Sequence, residues 1–198
     1  RELAAMHTAR VKSGTWGAIV VSLGRGDTLF KHNADELLLP ASTMKLFTTA
    51  FAYERLGPSH VFTTEVLRDG PVTPDGVLQG NLILRGGGDP ALSSRFIPGD
   101  PSAPMATLAR QIAASGIRRI TGDVVGDASA FESRLVPDGW LNRYLEASYA
   151  ARVSALSLNE NLVFVYIAPG NKAGVVSLQP ATSAFRIASP AGRWRATF

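Results

Sequence analysis

The feature that most constrains this chain is a break in its texture. Asp69-Gly70-Pro71-Val72-Thr73-Pro74-Asp75-Gly76 sets two glycines, two prolines and two aspartates within eight positions. Proline removes a backbone donor and glycine supplies positive φ, so the segment is a turn or a boundary, not the interior of an element. It predicts two structural units, residues 1–66 and 67–198. A chain of 198 residues suffices for one large domain or two small ones, each with a core.

Within the first unit, residues 2–11 read as a short helix with Leu3, Ala4, Met6 and Ala9 on one side. Residues 15–23 and 28–31 read as strands, and Gly24-Arg25-Gly26-Asp27 between them is hairpin chemistry. A helix over 42–56 follows Pro40, and Gly57-Pro58 ends it. In the second unit the pattern predicts strands at 80–84, 119–125, 162–168, 175–179 and 184–188, with helices at 105–115 and 141–149. Arg85-Gly86-Gly87-Gly88-Asp89-Pro90 lacks the spacing of a phosphate loop, and a tight loop with several positive φ values is expected there.

The chemistry concentrates in Pro40-Ala41-Ser42-Thr43-Met44-Lys45. Ser42 and Lys45 lie three residues apart at a helix start, so their side chains share a face. A serine hydroxyl becomes a nucleophile when a nearby base takes its proton. A lysine amine can be that base where burial and neighbouring positive charge lower its pKa. The helix N-terminus adds amide donors and a positive dipole near developing negative charge. With 16 serines and 4 lysines, about 0.3 such spacings arise by chance, and Ser42 as a plain N-cap is the competing account. Leu46, Phe47, Ala50, Phe51 and Ala52 follow Lys45, which predicts a buried helix, and a lysine on a buried helix needs a reason such as catalysis.

Longer stretches carry more information than four residues. LLLPASTMKLFTTAFAYERLG, preceded by a hairpin within WGAIVVSLGRGDTLFKHNADELLLPAS, resembles the active-site region of penicillin-binding D-Ala-D-Ala carboxypeptidases. The resemblance is closest to the carboxypeptidase/endopeptidase group with a large insertion after the Ser-x-x-Lys helix. GNLILRGGGDPAL, ITGDVVGDASAFES, PDGW and VSALSLNENLVFVYIAPG are similar to that insertion. The resemblance implies an α/β serine β-lactamase/DD-peptidase-like fold: residues 1–66 the N-terminal part of the catalytic domain, 67–198 an inserted α+β domain. It implies Ser42 as acyl-enzyme nucleophile and Lys45 as its proton acceptor. It also implies a substrate-binding role for Asp127, whose carboxylate would hold a free amine, and for Phe131, which would meet its aliphatic stem; a plain loop carboxylate and a core Phe are the competing account. The expected substrates are peptidoglycan peptides ending in D-Ala-D-Ala, with β-lactam antibiotics acylating the same serine. The expected location is the periplasm or outer surface of a bacterial cell.

The family's second motif, Ser-x-Asn, and its Lys-Thr-Gly strand motif have no convincing counterpart. Ser157-Leu158-Asn159 falls in the insertion-like part, and Lys172-Ala173-Gly174 follows Pro169-Gly170 and reads as a turn. The chain is therefore expected to stop before those motifs and to be inactive alone. It opens at Arg1 with no charged-then-apolar leader, so a signal peptide is expected to lie outside it. No cysteine is present, which excludes a thiol nucleophile, and His7, His32 and His60 share no metal-ligand spacing. No cofactor is expected. A net charge of +4 comes from scattered arginines without a nucleic-acid-binding motif, and no apolar run is long enough to span a bilayer. Two other readings stand beside the peptidase: a non-catalytic peptidoglycan-binding module of the same fold, and a β-lactamase.

Overall fold

The computed structural model describes residues 14–99, 101–168, 175–184, 186–188 and 195–197. The helix expected at 2–11 and the turn at 169–174 lie outside the described residues. Two units are distinguished, Arg1–His60 and Val61–Phe198. The division precedes Asp69–Gly76, which is a connection inside the second unit and not the boundary itself.

In the first unit β1 (Ala18–Val21) pairs antiparallel with β2 (Thr28–His32), Ala18 facing His32 and Val20 facing Phe30. Gly26 takes φ 74° in the turn and its amide donates to the Ser22 carbonyl at 2.7 Å. The Arg25 guanidinium grips both carboxylate oxygens of Asp27. A 3-10 turn, Ala41–Thr43, runs directly into α1 (Met44–Leu56). Gly57, at φ 80°, ends the helix with its amide on the Tyr53 carbonyl. The expectation of a buried helix is corrected here: Leu46, Phe47 and Phe51 are 72%, 70% and 66% exposed, and no residue of α1 is buried. Among the described residues of this unit, no element covers the apolar face.

The second unit begins with β3 (Thr64–Arg68), a strand not expected from the sequence. After that turn come β4 (Val77–Leu78), β5 (Leu82–Gly86), α2 (Ala103–Ala114), β6 (Arg119–Ile120) and β7 (Val124–Asp127). Strands β3, β5 and β7 form a sheet in that order, β5 antiparallel to β3 and parallel to β7. Parallel pairing requires a crossover, and α2, with Pro104 in its first turn, supplies it. The single strand expected at 119–125 is broken because Gly122 passes against Gly80 and the Asn81 side chain, leaving no room for a Cβ. Its two halves join different sheets, β6 pairing with β4 and β7 with β5. The helix expected at 141–149 is two 3-10 turns, Asn142–Tyr144 and Ser148–Ala150, separated by an extended Ala147. Asn, Tyr and Ser are indifferent helix formers, and nine residues are too few to nucleate without packing.

The chain continues through β8 (Phe164–Ala168) and β9 (Val175–Gln179), an antiparallel pair, and ends in the antiparallel β10 (Arg186–Ala188) and β11 (Arg195–Thr197). Leu78, Leu82, Leu92, Ala150 and Ala155 form the buried apolar core of the second unit. Among the described residues, no helix is long and apolar enough to cross a membrane.

Candidate functional site

Two groups of side chains carry the chemistry, one in each unit. In the first, Pro40 turns the chain and Ala41 takes φ 44°, a left-handed conformation costing a residue with a Cβ about 1 kcal/mol. That strain sits immediately before Ser42, between Pro40 in the right-handed helical region and the rest of the turn. The Thr43 hydroxyl donates to the Pro40 carbonyl, which also accepts the Thr43 amide at 3.0 Å. Ser42 is not a side-chain cap: its Oγ accepts a hydrogen bond from Lys45 Nζ at 3.0 Å. The expected juxtaposition of Ser42 and Lys45 is therefore present, across one turn at the head of a helix of 13 residues.

The second group lies on one face of the β3–β5–β7 sheet. Cross-strand register places Glu65, Arg85 and Asp127 side by side, Arg85 opposite both carboxylates. Arg85 Nε donates to Asp127 Oδ2 at 3.0 Å, and Arg85 Nη1 lies 3.9 Å from Glu65 Oε2. The Ser129 amide donates to Asp127 Oδ1 at 3.0 Å. Hydrogen bonds from Ser129, and then the Arg85 guanidinium, hold the Asp127 carboxyl down at about 2. Asp127 is thus a fixed anion across the physiological range.

Asp127 and Phe131 line the same cavity, of about 670 Å³, together with Asp69, Ser129 and Glu132. Three carboxylates and no basic side chain line it, so it favours a cation. Asp69 is already engaged, its oxygens accepting the Asn81 amide at 2.6 Å and Asn81 Nδ2 at 2.7 Å. Phe131 is 43% exposed, which marks it as a wall of the cavity and not a core residue.

The glycine run has a different basis from the one expected. Of Gly86, Gly87 and Gly88, only Gly88 has positive φ, at 77°. Gly86 ends β5 pressed on the Ala155 carbonyl and Gly87 lies on that of Thr63, both approaches too close for a Cβ. A Cβ at Gly88 would enter the Phe131 ring. Arg85, Gly88 and Ser129 are the residues that sequence reasoning passed over. The signal for Arg85 was its place at the end of an apolar strand, a position that normally avoids charge without a partner.

Ser157-Leu158-Asn159 is not available as a catalytic motif. Asn159 is 5% exposed, its Oδ1 accepting the Ser94 amide at 3.0 Å and its Nδ2 donating to the Pro101 carbonyl at 2.7 Å.

Comparison with known proteins places this geometry in context. The sequence profile of the D-Ala-D-Ala carboxypeptidase 3 (S13) family matches residues 3–190. A D-alanyl-D-alanine carboxypeptidase of Actinomadura sp. (strain R39) is 38% identical over 142 residues, 72% of this chain and 25% of that protein. The D-alanyl-D-alanine carboxypeptidase DacB of Haemophilus influenzae is 29% identical over 160 residues, 81% of this chain and 32% of the relative. The chain thus spans a quarter to a third of these curated relatives. Penicillin binding protein 4 (dacB) of H. influenzae, a crystal structure, shares the fold with a TM-score of 0.68 at 24% identity, over 91% of this chain and 43% of that one.

Proposed function

The chain belongs to the D-Ala-D-Ala carboxypeptidase 3 (S13) family, and from that premise we propose that it is part of a serine DD-peptidase of the bacterial cell envelope. It would cleave the terminal D-Ala-D-Ala bond of peptidoglycan peptides, with cross-link endopeptidase action as an extension of the same chemistry. The observation that carries this reading is the 3.0 Å contact between Lys45 Nζ and Ser42 Oγ at the head of α1.

In acylation that hydrogen bond reverses and the Lys45 amine accepts the Ser42 proton. Ser42 Oγ then attacks the carbonyl carbon of the penultimate D-Ala, forming a tetrahedral oxyanion next to the helix N-terminus. Collapse breaks the peptide C–N bond, and the proton returns from Lys45 to the departing D-Ala amine. Water, deprotonated in turn, hydrolyses the Ser42 ester and restores the hydroxyl. A β-lactam enters by the same attack, but ring opening leaves its amine tethered, so the acyl-enzyme persists.

In this proposal Asp127 receives a free amine on the substrate side chain and Phe131 packs on its aliphatic stem. The acidic lining of the shared cavity supports the first role, and the exposed Phe131 ring in its wall supports the second. The Ser42 unit is taken as the first part of a catalytic domain and the unit read from sequence as 67–198 as an insertion in it. The uncovered apolar face of α1 supports that arrangement, since a catalytic domain would have to cover it.

The test is mass spectrometry of the full-length protein after exposure to penicillin. The expected result is one penicilloyl adduct on the peptide holding Ser42, lost in Ser42→Ala. An adduct on another residue, or none, rejects Ser42 as nucleophile. Peptidoglycan binding that survives Ser42→Ala with no turnover by the wild type marks a binding module, and fast drug hydrolysis without peptide cleavage marks a β-lactamase.

A further inference from the structure

We propose that Arg85 and Gly88 are positioning residues that set which substrate side chain the protein prefers, by fixing the Asp127 carboxylate and the Phe131 ring. The inference rests on the proposed role of Asp127 and Phe131 and goes beyond it, because it explains how a side chain at the end of β7 and one in the loop after it are held in place. Four residues of one segment do this. Arg85 lies on the same sheet face as Asp127, directly opposite it in register, and donates to Oδ2 at 3.0 Å. The Ser129 amide holds the other oxygen, so the carboxylate cannot rotate without breaking one of two charge-assisted hydrogen bonds.

Arg85 is in turn flanked by Glu65. The row therefore carries two negative charges and one positive, and the net charge of one negative remains to attract an ammonium. Arg85 is absent from the cavity lining, so it orients Asp127 without presenting a competing cation to the ligand. Three residues further along, Gly88 provides the bare backbone against which the Phe131 ring lies, and its amide is fixed to the Ala155 carbonyl at 2.8 Å. The intervening glycines bring the backbone down onto Ala155 and Thr63, which sets the height of that platform. One segment thus positions both the polar and the apolar contact of the cavity.

The experiment compares full-length wild type with Arg85→Ala, Arg85→Lys, Gly88→Ala and Asp127→Asn. Three acyl-D-Ala-D-Ala peptides are used: a pair with the side-chain amine free or acetylated, and a third carrying the free amine on a shorter aliphatic stem. Covalent penicillin labelling of Ser42 reports that each variant is folded. The expected result for Arg85→Ala is a fall of about tenfold in the ratio of kcat/KM for the amine peptide to that for the acetylated one, carried by KM. Arg85→Lys should recover part of the ratio. Gly88→Ala should weaken discrimination between a long and a short aliphatic side chain. A ratio that stays within about twofold in Arg85→Ala, or equal losses on both peptides, overturns the inference. If Asp127→Asn abolishes the preference while Arg85→Ala keeps it, the positioning role fails and the Asp127 reading stands. If Asp127→Asn keeps the preference, the Asp127 reading fails and the inference falls with it.

Discussion

Asp127 brings together two kinds of donor on one carboxylate, and its titration is the most direct check on that arrangement. Its ordinary value of 3.8 is brought to about 2, chiefly by Ser129 and then by Arg85. The folded value lies below the unfolded one, so its stabilising contribution is complete above about pH 4 and is lost as pH falls through 2. A carboxyl carbon shift followed by NMR should therefore show a midpoint near 2, moving upward in Arg85→Ala. A midpoint at 3.8 in the wild type would contradict the geometry. Lys45 carries the other residue-scale consequence: Lys45→Ala should slow penicillin acylation of Ser42 by roughly 10²–10⁴-fold, the usual contribution of a positioned base. An acylation rate within a few-fold of the wild type would assign the base to another group.

At the scale of elements, the second unit is tied together by polar groups as much as by its small core. Asn159, Glu160 and Asn161 all adopt left-handed φ, at 48°, 60° and 56°. This turn staples the loop before α2 through Ser94 and Pro101, while Glu160 reaches Ser93 and Arg95. Replacing Asn159 by Ala strands a buried amide and carbonyl and puts a poor residue at positive φ. A loss of about 2–4 kcal/mol in denaturant unfolding is expected, and a change below about 0.5 kcal/mol would remove the staple from the account. Elements with a clear period or stop signal were legible in the sequence: the hairpin of β1 and β2, α1 with Gly57, and α2. What escaped depended on distant partners. The break in 119–125 follows from Gly122 meeting Gly80. Likewise Ser42 and Lys45 could be paired by spacing alone, whereas Arg85 and Asp127 are 42 residues apart and meet only through strand register.

For the whole molecule, the contrast between the units decides what can be expected of this polypeptide by itself. The second has a core, but α1 keeps Leu46, Phe47 and Phe51 largely in solvent. Its Ser-x-Asn sequence is consumed as structure through Asn159. A polypeptide confined to these 198 residues should therefore release no D-Ala from acyl-D-Ala-D-Ala peptides, and measurable release would refute the division of labour proposed for the family fold. The joint at Thr121–Gly122–Asp123 has a broader consequence. It is clamped by backbone groups and one amide side chain: Thr121 on Leu78, Gly122 on Gly80, Asp123 on Asn81, and Leu82 on Asp123. Asn81, the side chain that holds Asp123, also lines the acidic cavity and binds Asp69 there. The joint that parts β6 from β7 is therefore also a piece of the cavity wall, and whatever loosens one loosens the other.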